Sequence, residues 1–257
     1  MKKLLSIMAV IIANIVPGLS MDKAQNGPIV HLWPEGSSSN APYFGHASVC
    51  TKTYYISFGP QENSGVIEPI KDAPSKIVPL LDLDKQKYNK SACTEYTLSS
   101  LSEKGVNEGY EDCLHYNKVT PDNYTIDHLE GLQKSGKLST VLSKYDSLHL
   151  KKTRYSVLHS DNFLQKDFYT SPHTCMTFSL ALLQYGGAEM PTYLFFGEER
   201  EKVRAQNIKM GIAAEVPMYI REKEIVESAV VDYGSFKKYL LNIQKNGKYK
   251  KEDYAVF

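Results

Sequence analysis

The chain has 257 residues, of which 42% are apolar and 23% are charged, with 12 prolines and 16 glycines scattered along it. This length and composition fit one large domain or two small ones, and they exclude a disordered chain, a collagen-like repeat and a coiled coil. Thirty basic side chains against 29 acidic ones leave a net charge of +1, which gives no bulk electrostatic reason to bind nucleic acid.

Residues 1–20 have the layout of a secretory signal peptide that is cleaved near Ser20. Lys2 and Lys3 precede a largely apolar stretch over 4–16, and small residues stand next to the cut. The rival interpretation is a membrane anchor, but a span needs about 20 mostly apolar residues, and this stretch is shorter. We therefore predict a secreted or periplasmic protein with no stable membrane span after cleavage.

Short β-type runs predict three strands that follow the signal peptide. The first covers 27–33, and two more, over 45–50 and 53–58, form a hairpin with a two-residue turn at 51–52. Their β-branched and aromatic side chains and the short connection between them favour this pairing.

The middle of the chain shows weaker patterns. Three prolines and many polar residues over 61–92 predict a long surface excursion, and 93–113 has the composition of a polar loop. Apolar spacing predicts a helix over 125–136 and another over 139–148, followed by a strand over 153–158.

A strongly apolar helix is predicted from Cys175 to the glycine pair at 186–187. Its start is marked by the helix-start residues over 171–174. Beyond it, the sequence predicts a strand over 191–196 and one or two amphipathic helices from Glu222 onward.

Export to an oxidising compartment permits disulfides. Cys93 and Cys113 lie in the same polar region, and we predict that they pair. A bond between Cys50 and Cys175 is also conceivable and would favour a binding module over an enzyme, and four cysteines allow three full pairings among which the sequence does not choose.

Cys175 is the candidate nucleophile. At the first turn of a helix its sulfur faces unpaired N–H groups and the positive end of the helix dipole, which lower the pKa of a thiol and favour the reactive thiolate. The same N–H groups suit a developing oxyanion. The alternative is a small buried side chain that packs beside Phe178, Leu182 and Leu183.

His46 is the candidate base for this thiol. It opens the first strand of the hairpin, directly after Gly45, and a glycine there lets a neighbouring backbone or helix end approach closely. The alternative for a lone strand histidine is a structural or surface role.

A third polar group is expected to orient the imidazole. Ser57 is the best-placed candidate because strand alternation puts it on one face of the return strand, although an ordinary strand serine fits the same position. His31 competes as orienter or base, and His173 and His159 are further alternatives.

No metal or cofactor site is predicted. The sequence lacks a Cys-x-x-Cys pair and a pair of histidines at i, i+4 spacing around a glutamate. Asp82 and Asp84 lack the glycine and closing glutamate of a calcium loop. Gly-x-Ser-x-Gly is absent, which disfavours an ordinary serine hydrolase.

A family resemblance rests on two segments of the sequence, GHASVCTKTYYISFGP over 45–60 and HTCMTFSLALLQYGGA over 173–188. Both segments resemble the circularly permuted NlpC-like cysteine proteins, which include the lecithin:retinol acyltransferase group. In that family a Gly-His pair starts a strand, a hairpin return follows, and a cysteine heads a helix much later in the chain. Two positions depart from the pattern, because Thr174 stands where Asn is common and Ser57 where some relatives have histidine.

The resemblance implies an α+β, papain-like fold over 27–190, in which the nucleophile helix packs against an antiparallel sheet. The remaining residues, 191–257, are then a helical C-terminal extension on the same domain. It also implies Cys175 as nucleophile and His46 as base, without a cofactor. Substrates across the family range from peptide amides of cell walls to acyl esters of lipids.

Together these features predict an exported cysteine hydrolase that cleaves an amide, in a peptide or in peptidoglycan, through an acyl-enzyme on Cys175. A secreted bacterial effector fits the same features. The alternatives are a lipid or protein acyltransferase that acts on an acyl ester, and a catalytically inactive secreted binding module on the same scaffold.

Overall fold

The structure is a computed structural model. It describes the residues 27–34, 45–61, 73–88, 93–142, 147–155, 168, 173–189 and 233–246. The predicted signal peptide over 1–20, the strand over 191–196, any helix over 222–232 and His159 lie outside the described residues. Among the described residues, no helix has the length and apolar character needed to cross a bilayer.

Six strands and five α-helices make up the described part of the chain. The strands are β1 (Ile29–Trp33), β2 (His46–Cys50), β3 (Tyr55–Pro60), β4 (Ala73–Val78), β5 (Thr94–Thr97) and β6 (Leu148–Tyr155). The helices are α1 (Leu81–Lys87), α2 (Glu103–Tyr116), α3 (Ile126–Lys134), α4 (Cys175–Tyr185) and α5 (Tyr233–Asn246). The strands form one antiparallel sheet in the order β5-β1-β2-β3-β4-β6, with the five helices packed against it. The predicted α+β class is confirmed.

The hairpin of β2 and β3 forms as predicted, but its connection is longer. Cys50 pairs with Tyr55, so four residues connect the strands instead of the predicted two. The Thr51 side chain stabilises this turn, because its Oγ1 accepts hydrogen bonds from the N–H groups of Thr53 and Tyr54.

The interpretation of 61–92 as a surface excursion was wrong over 73–88, where the chain forms β4 and α1, whereas 62–72 and 89–92 lie outside the described residues. The loop-like reading of 93–113 was also wrong, because α2 occupies much of it. Its glycines at 105 and 109 lie against Tyr185 of α4, where a β-carbon would meet that residue at 2.2 and 2.5 Å. The two helices therefore pack closely through positions that the sequence pattern read as loop.

The other helix predictions have mixed outcomes. The helix predicted from residue 125 is present as α3, and α4 begins at Cys175 and ends before Gly186 as predicted. The helix predicted over 139–148 was wrong: a short 3₁₀ turn covers Leu138–Thr140, and β6 already begins at Leu148. The strand predicted over 153–158 is the end of β6 as far as Tyr155, and 156–158 lie outside the described residues.

The main hydrophobic core lies between one face of the sheet and the helices α2, α4 and α5. Ile56 and Phe58 of β3 point into it, and Phe58 stacks on Phe178 of α4 with ring centroids 4.2 Å apart. Strand alternation turns Tyr55 and Ser57 to the opposite face. That face also receives polar side chains from β1 and β2, and they are buried there as well: His31, His46 and Ser48.

All four cysteines are free thiols, so the predicted bond between Cys93 and Cys113 was wrong. Cys113 is buried in α2, where its sulfur lies 3.8 Å from the hydroxyl of Thr153 and 3.8 Å from the amide of Asn117. Cys93 precedes β5 and is only partly buried. The polar sequence between them forms a helix that turns Cys113 into the core, away from the loop environment on which the prediction depended.

Candidate active site

Cys175 is the first residue of α4, and the helix start is fixed by a reciprocal cap. Thr174 Oγ1 accepts a hydrogen bond from the N–H of Thr177 at 3.1 Å, and Thr177 Oγ1 accepts one from the N–H of Thr174 at 2.8 Å. Thr174 therefore serves the helix cap. The Cys175 sulfur accepts hydrogen bonds from the backbone N–H groups of Ala47 and Met176.

His46 forms a hydrogen bond with the thiol of Cys175, and the two groups change each other's pKa. Burial lowers the pKa of His46, but hydrogen bonds and charges from Asp84 and Cys175 outweigh it and raise the pKa from 6.5 to about 9. Burial raises the pKa of Cys175, but the hydrogen bond and charge of His46 outweigh it and lower the pKa below 9.0. The hydrogen-bonded pair therefore favours the thiolate and the imidazolium over the two neutral groups.

The other side of the imidazole faces two oxygen atoms. His46 Nε2 lies 2.8 Å from Ser57 Oγ and 3.4 Å from Asp84 Oδ2, which leaves Nδ1 for the thiol. Ser57 also hydrogen-bonds the Asp84 carboxylate, so the serine bridges the imidazole and the acid. Asp84 is only 1% exposed. Its burial raises its pKa, but the hydrogen bond and charge of His46 outweigh this effect, so the carboxylate stays ionised.

Asp84 is a site residue that the sequence interpretation missed. It was considered only as part of a calcium loop, and it lies in the stretch read as a surface excursion. Its local sequence, LDLDKQK, offers one weak signal, an acidic residue that directly follows a leucine in a short helix. The carboxylate reaches His46 only because β4 returns along β3 and directs α1 over the polar face of the sheet.

Aromatic rings enclose the imidazole. Tyr88, directly after α1, stacks on His46 with ring centroids 4.6 Å apart, and the Trp33 ring lies 5.5 Å away. One short segment therefore supplies both the carboxylate of Asp84 and this stacking ring. Because His46 is only 3% exposed, water competes little with its hydrogen bonds.

Tyr155, at the end of β6, is a second residue that the sequence interpretation missed. Its backbone forms an isolated bridge with His173, two residues before Cys175, and its hydroxyl hydrogen-bonds both the sulfur and the backbone of Cys175. Burial, followed by the charge of Cys175, raises the pKa of Tyr155 well above 10.0. The hydroxyl therefore remains protonated and is a donor beside the sulfur.

The alternative histidines have other surroundings. His31 Nε2 lies 3.4 Å from Glu95, and its ring packs near Trp33 and Tyr55. His173 donates its backbone N–H to the carbonyl of Arg154, and its ring lies among phenylalanine rings, namely Phe58, Phe168 and Phe178. The structure thus brings His46, and neither of these, to the thiol of Cys175.

Cys50 lies apart from this arrangement. Its thiol donates to the carbonyl of Thr51 at 3.4 Å, and its side chain packs against Ile29 and Tyr55. Burial raises its pKa to about 12. The alternative bond between Cys50 and Cys175 is not formed.

Gly45 fulfils the steric role predicted for it. It has a φ of +89°, and a β-carbon there would lie 3.1 Å from the carbonyl oxygen of Trp33 and 3.3 Å from the side chains of Met176 and Tyr233. We expect Gly45→Ala to cost about 1–3 kcal/mol of unfolding free energy and to slow alkylation of the active-site thiol by displacing the adjacent histidine. Urea unfolding and thiol labelling check this, with Gly59→Ala, which has open space, as the control. Equal behaviour of the two variants would contradict it.

Within the described ranges, no three His, Cys, Asp or Glu side chains are grouped so that they would hold a metal ion. No family model, curated protein or solved structure matches this chain. The function is therefore argued from the geometry of Cys175, His46 and Asp84.

Proposed function

We propose that this protein is a cysteine hydrolase that cleaves an amide through an acyl-enzyme on Cys175. The observation that carries the proposal is the buried chain of hydrogen bonds from the Cys175 thiol to His46 and on to Ser57 and Asp84. A nucleophile, a base and an orienting acid in series are the arrangement that activates a thiol for acyl transfer.

The proposed reaction begins with the thiolate of Cys175, which adds to the carbonyl carbon of the substrate and moves an electron pair onto the carbonyl oxygen. When the intermediate collapses, the C–N bond breaks and the leaving nitrogen takes the proton of the His46 imidazolium. The neutral imidazole then accepts a proton from water as that water attacks the thioester. The C–S bond breaks, which restores the thiolate and the imidazolium.

An amide suits this site because an amine is a poor leaving group until its nitrogen is protonated. His46, whose pKa is raised to about 9, is protonated at neutral pH and lies beside the sulfur to which the carbonyl carbon would bind. Peptides and peptidoglycan stem peptides are the substrate classes that we propose.

Two donors are positioned for the oxyanion of the intermediate, the backbone N–H of Cys175 and the hydroxyl of Tyr155. The Tyr155 hydroxyl donates to the sulfur, and its oxygen accepts a hydrogen bond from the Cys175 N–H, so both donors are close to a carbon that is bonded to the sulfur. Donors placed in advance at the position where charge develops are a major source of catalysis.

Tyr155→Phe is expected to lower kcat about 100-fold, the usual effect of losing one oxyanion donor, with little change in KM. Tyr110→Phe is the matched control, because the buried hydroxyl of Tyr110 has no hydrogen-bond partner among the described residues. Steady-state kinetics on a cleaved amide give both constants. An unchanged kcat in Tyr155→Phe would remove this residue from the proposed oxyanion site.

We also propose that the catalytic domain has a papain-like fold of the permuted NlpC-like type. A glycine and histidine at the start of β2, the hairpin return, and a cysteine at the start of α4 occur in the order found in permuted NlpC-like proteins. A papain-like catalytic domain is supported further by α4, which packs against β2 and β3. We also propose export, because residues 1–20 have the composition of a signal peptide.

A substrate panel tests the proposal. The mature protein is incubated with N-acylated dipeptides and with peptidoglycan fragments, released amine is measured, and intact mass spectrometry detects an acyl adduct. We expect amine release from at least one amide and an adduct that Cys175→Ala abolishes. Transfer of the acyl group to an added amine or alcohol faster than to water would instead indicate the acyltransferase. A wild-type Cys175 that reacts no faster than Cys50 would contradict both enzymes and favour the binding module.

A further inference from the structure

The hydrogen-bond chain does not end at Asp84. The hydroxyl of Tyr55 on β3 donates to Asp84 Oδ2 at 2.7 Å, and Ser48 Oγ on β2 lies 2.8 Å from the same hydroxyl. Because the tyrosine proton is directed at the carboxylate, the serine is the donor to the tyrosine oxygen. All three side chains are buried. The oxygen that receives the tyrosine proton is also the one that lies 3.4 Å from His46.

We propose that Tyr55, oriented by Ser48, is a positioning residue that holds the Asp84 carboxylate against His46 and so keeps the imidazole directed at the thiol of Cys175. This inference rests on the proposed function and adds two residues that act through Asp84. Neither of them contacts the sulfur or the reacting carbon in the proposed mechanism.

The local structure around Asp84 explains why the carboxylate needs such support. It lies on α1, a helix of seven residues whose N-cap, Leu80, makes no side-chain hydrogen bond. The tyrosine hydroxyl connects this short helix to the central strands of the sheet, and its 2.7 Å hydrogen bond is the shorter of the two measured contacts of Oδ2. Without the hydroxyl, the carboxylate would lose the contact that fixes its rotamer, and its support of the imidazolium would weaken.

The titratable groups that face Tyr55 come from three elements. They are Asp84 on α1, Cys50 on β2, and His31 on β1, whose ring centroid lies 5.8 Å from that of the tyrosine. Of these three, only Asp84 accepts the tyrosine proton, so loss of the hydroxyl acts first on this carboxylate.

The chain supplies a matched control one residue away. Tyr54 is also buried and also donates its hydroxyl to a carboxylate, that of Glu111 at 2.9 Å, but it lies on the opposite face of the hairpin. Tyr54→Phe and Tyr55→Phe therefore remove the same chemical group from the same strand region. Only the second removes it from the site.

The test measures the alkylation rate of Cys175 by iodoacetamide against pH in the full mature chain, by mass spectrometry. We expect Tyr55→Phe to move the midpoint of the profile at least one pH unit upward and to slow labelling at pH 6 about tenfold, as one pKa unit implies. Ser48→Ala should shift it in the same direction by less. Tyr54→Phe should reproduce the wild-type profile. Adding Tyr55→Phe to Asp84→Asn should cause no further shift, because both act on one path.

The outcomes separate this inference from the proposed function. If Asp84→Asn shifts the profile while Tyr55→Phe does not, or if Tyr55→Phe and Tyr54→Phe behave alike, the positioning role is overturned and the hydrolase proposal stands. If wild-type Cys175 shows no reactivity that depends on His46, the proposed function fails first. If Tyr55→Phe does not fold, Ser48→Ala provides the test instead. An unchanged pH profile of Cys175 alkylation in Ser48→Ala would then overturn the inference.

Discussion

Replacing His46 by alanine should slow alkylation of Cys175 at pH 7 by about tenfold or more, since each unit by which the pKa of the thiol rises lowers its thiolate fraction about tenfold. In the wild type the imidazolium holds the pKa of Cys175 below 9.0, so Cys175 should be labelled faster than the other three thiols. Without it, burial raises the pKa of this thiol, and the hydrogen bonds from the backbone N–H groups and from Tyr155 are left to oppose burial. Mass spectrometry of labelled peptides across a pH series measures this for each thiol.

The protein contains its own controls for this experiment. Burial raises the pKa of Cys50 and Cys113 to about 12 and that of Cys93 to about 11, so these thiols should label slowly up to pH 9. His31→Ala serves as the matched variant, because this histidine is also buried and lies near Glu95 instead of the sulfur. Equal labelling of Cys175 in both histidine variants would refute the proposed pair.

The same shifts predict the pH dependence of the proposed hydrolysis. Activity should rise with pH as Cys175 loses its proton, at a pH below 9.0, and should fall again near pH 9 as His46 loses its own proton. A bell with its alkaline limb near 9 is therefore the expected profile of kcat/KM. An alkaline limb near 6.5 would mean that the imidazole is not stabilised by Asp84 and the thiolate.

Asp84→Asn should have the second large effect. The substitution keeps the shape of the side chain but leaves the His46 cation without its acidic partner, a loss that costs about 3–5 kcal/mol at a buried ion pair. We expect a drop of that order in the unfolding free energy from urea titration, and loss of Cys175 reactivity at neutral pH. Asp82→Asn, on the exposed side of the same helix, is the control. Ser57→Ala should slow labelling less, since the carboxylate charge remains.

The stability of the wild type should depend on pH through the same two groups. The pKa of Asp84 is lowered in the folded protein, so its contribution is present above its ordinary value near 3.8 and is lost as the pH falls through the lowered value. The pKa of His46 is raised, so its contribution is complete below 6.5 and is lost as the pH rises through about 9. In Asp84→Asn the unfolding free energy should depend less on pH in both the acidic and the alkaline range. A wild-type unfolding free energy that is independent of pH would contradict this.

Local patterns predicted the elements whose signals lie within a few consecutive residues. The start of α4 follows from a capping threonine before an apolar run, and the hairpin follows from two β-type runs with a short connection. The placement of His46 at the head of β2 and of Cys175 at the head of α4 follows directly from those elements. The close approach of neighbouring groups at Gly45 was predictable for the same reason, since a glycine directly before a strand has no β-carbon to obstruct them.

The failures have a common physical origin in tertiary packing. The helix α2 was missed because its glycines at 105 and 109 disfavour a helix locally, while the close contact with Tyr185 makes them favourable in the folded chain. The predicted bond of Cys93 with Cys113 failed for the same reason, because that helix turns Cys113 into the core.

By itself, the sequence indicated the hairpin, the helix at Cys175, the nucleophile candidate and the base candidate, because helix caps, strand alternation and turn residues act over short distances along the chain, and the α+β class was implied by the family resemblance of the two segments that carry these residues. Only the tertiary structure decided which acid supports His46 and which hydroxyl lies beside Cys175. Asp84 and Tyr155 reach the site on α1 and β6, through the antiparallel order β3-β4-β6, and no local pattern encodes which strand will be a neighbour. Burial of the Asp84 carboxylate is favourable only when hydrogen-bond partners from distant segments surround it. This part of the site therefore depends on the tertiary structure and cannot be read from any single stretch of the sequence.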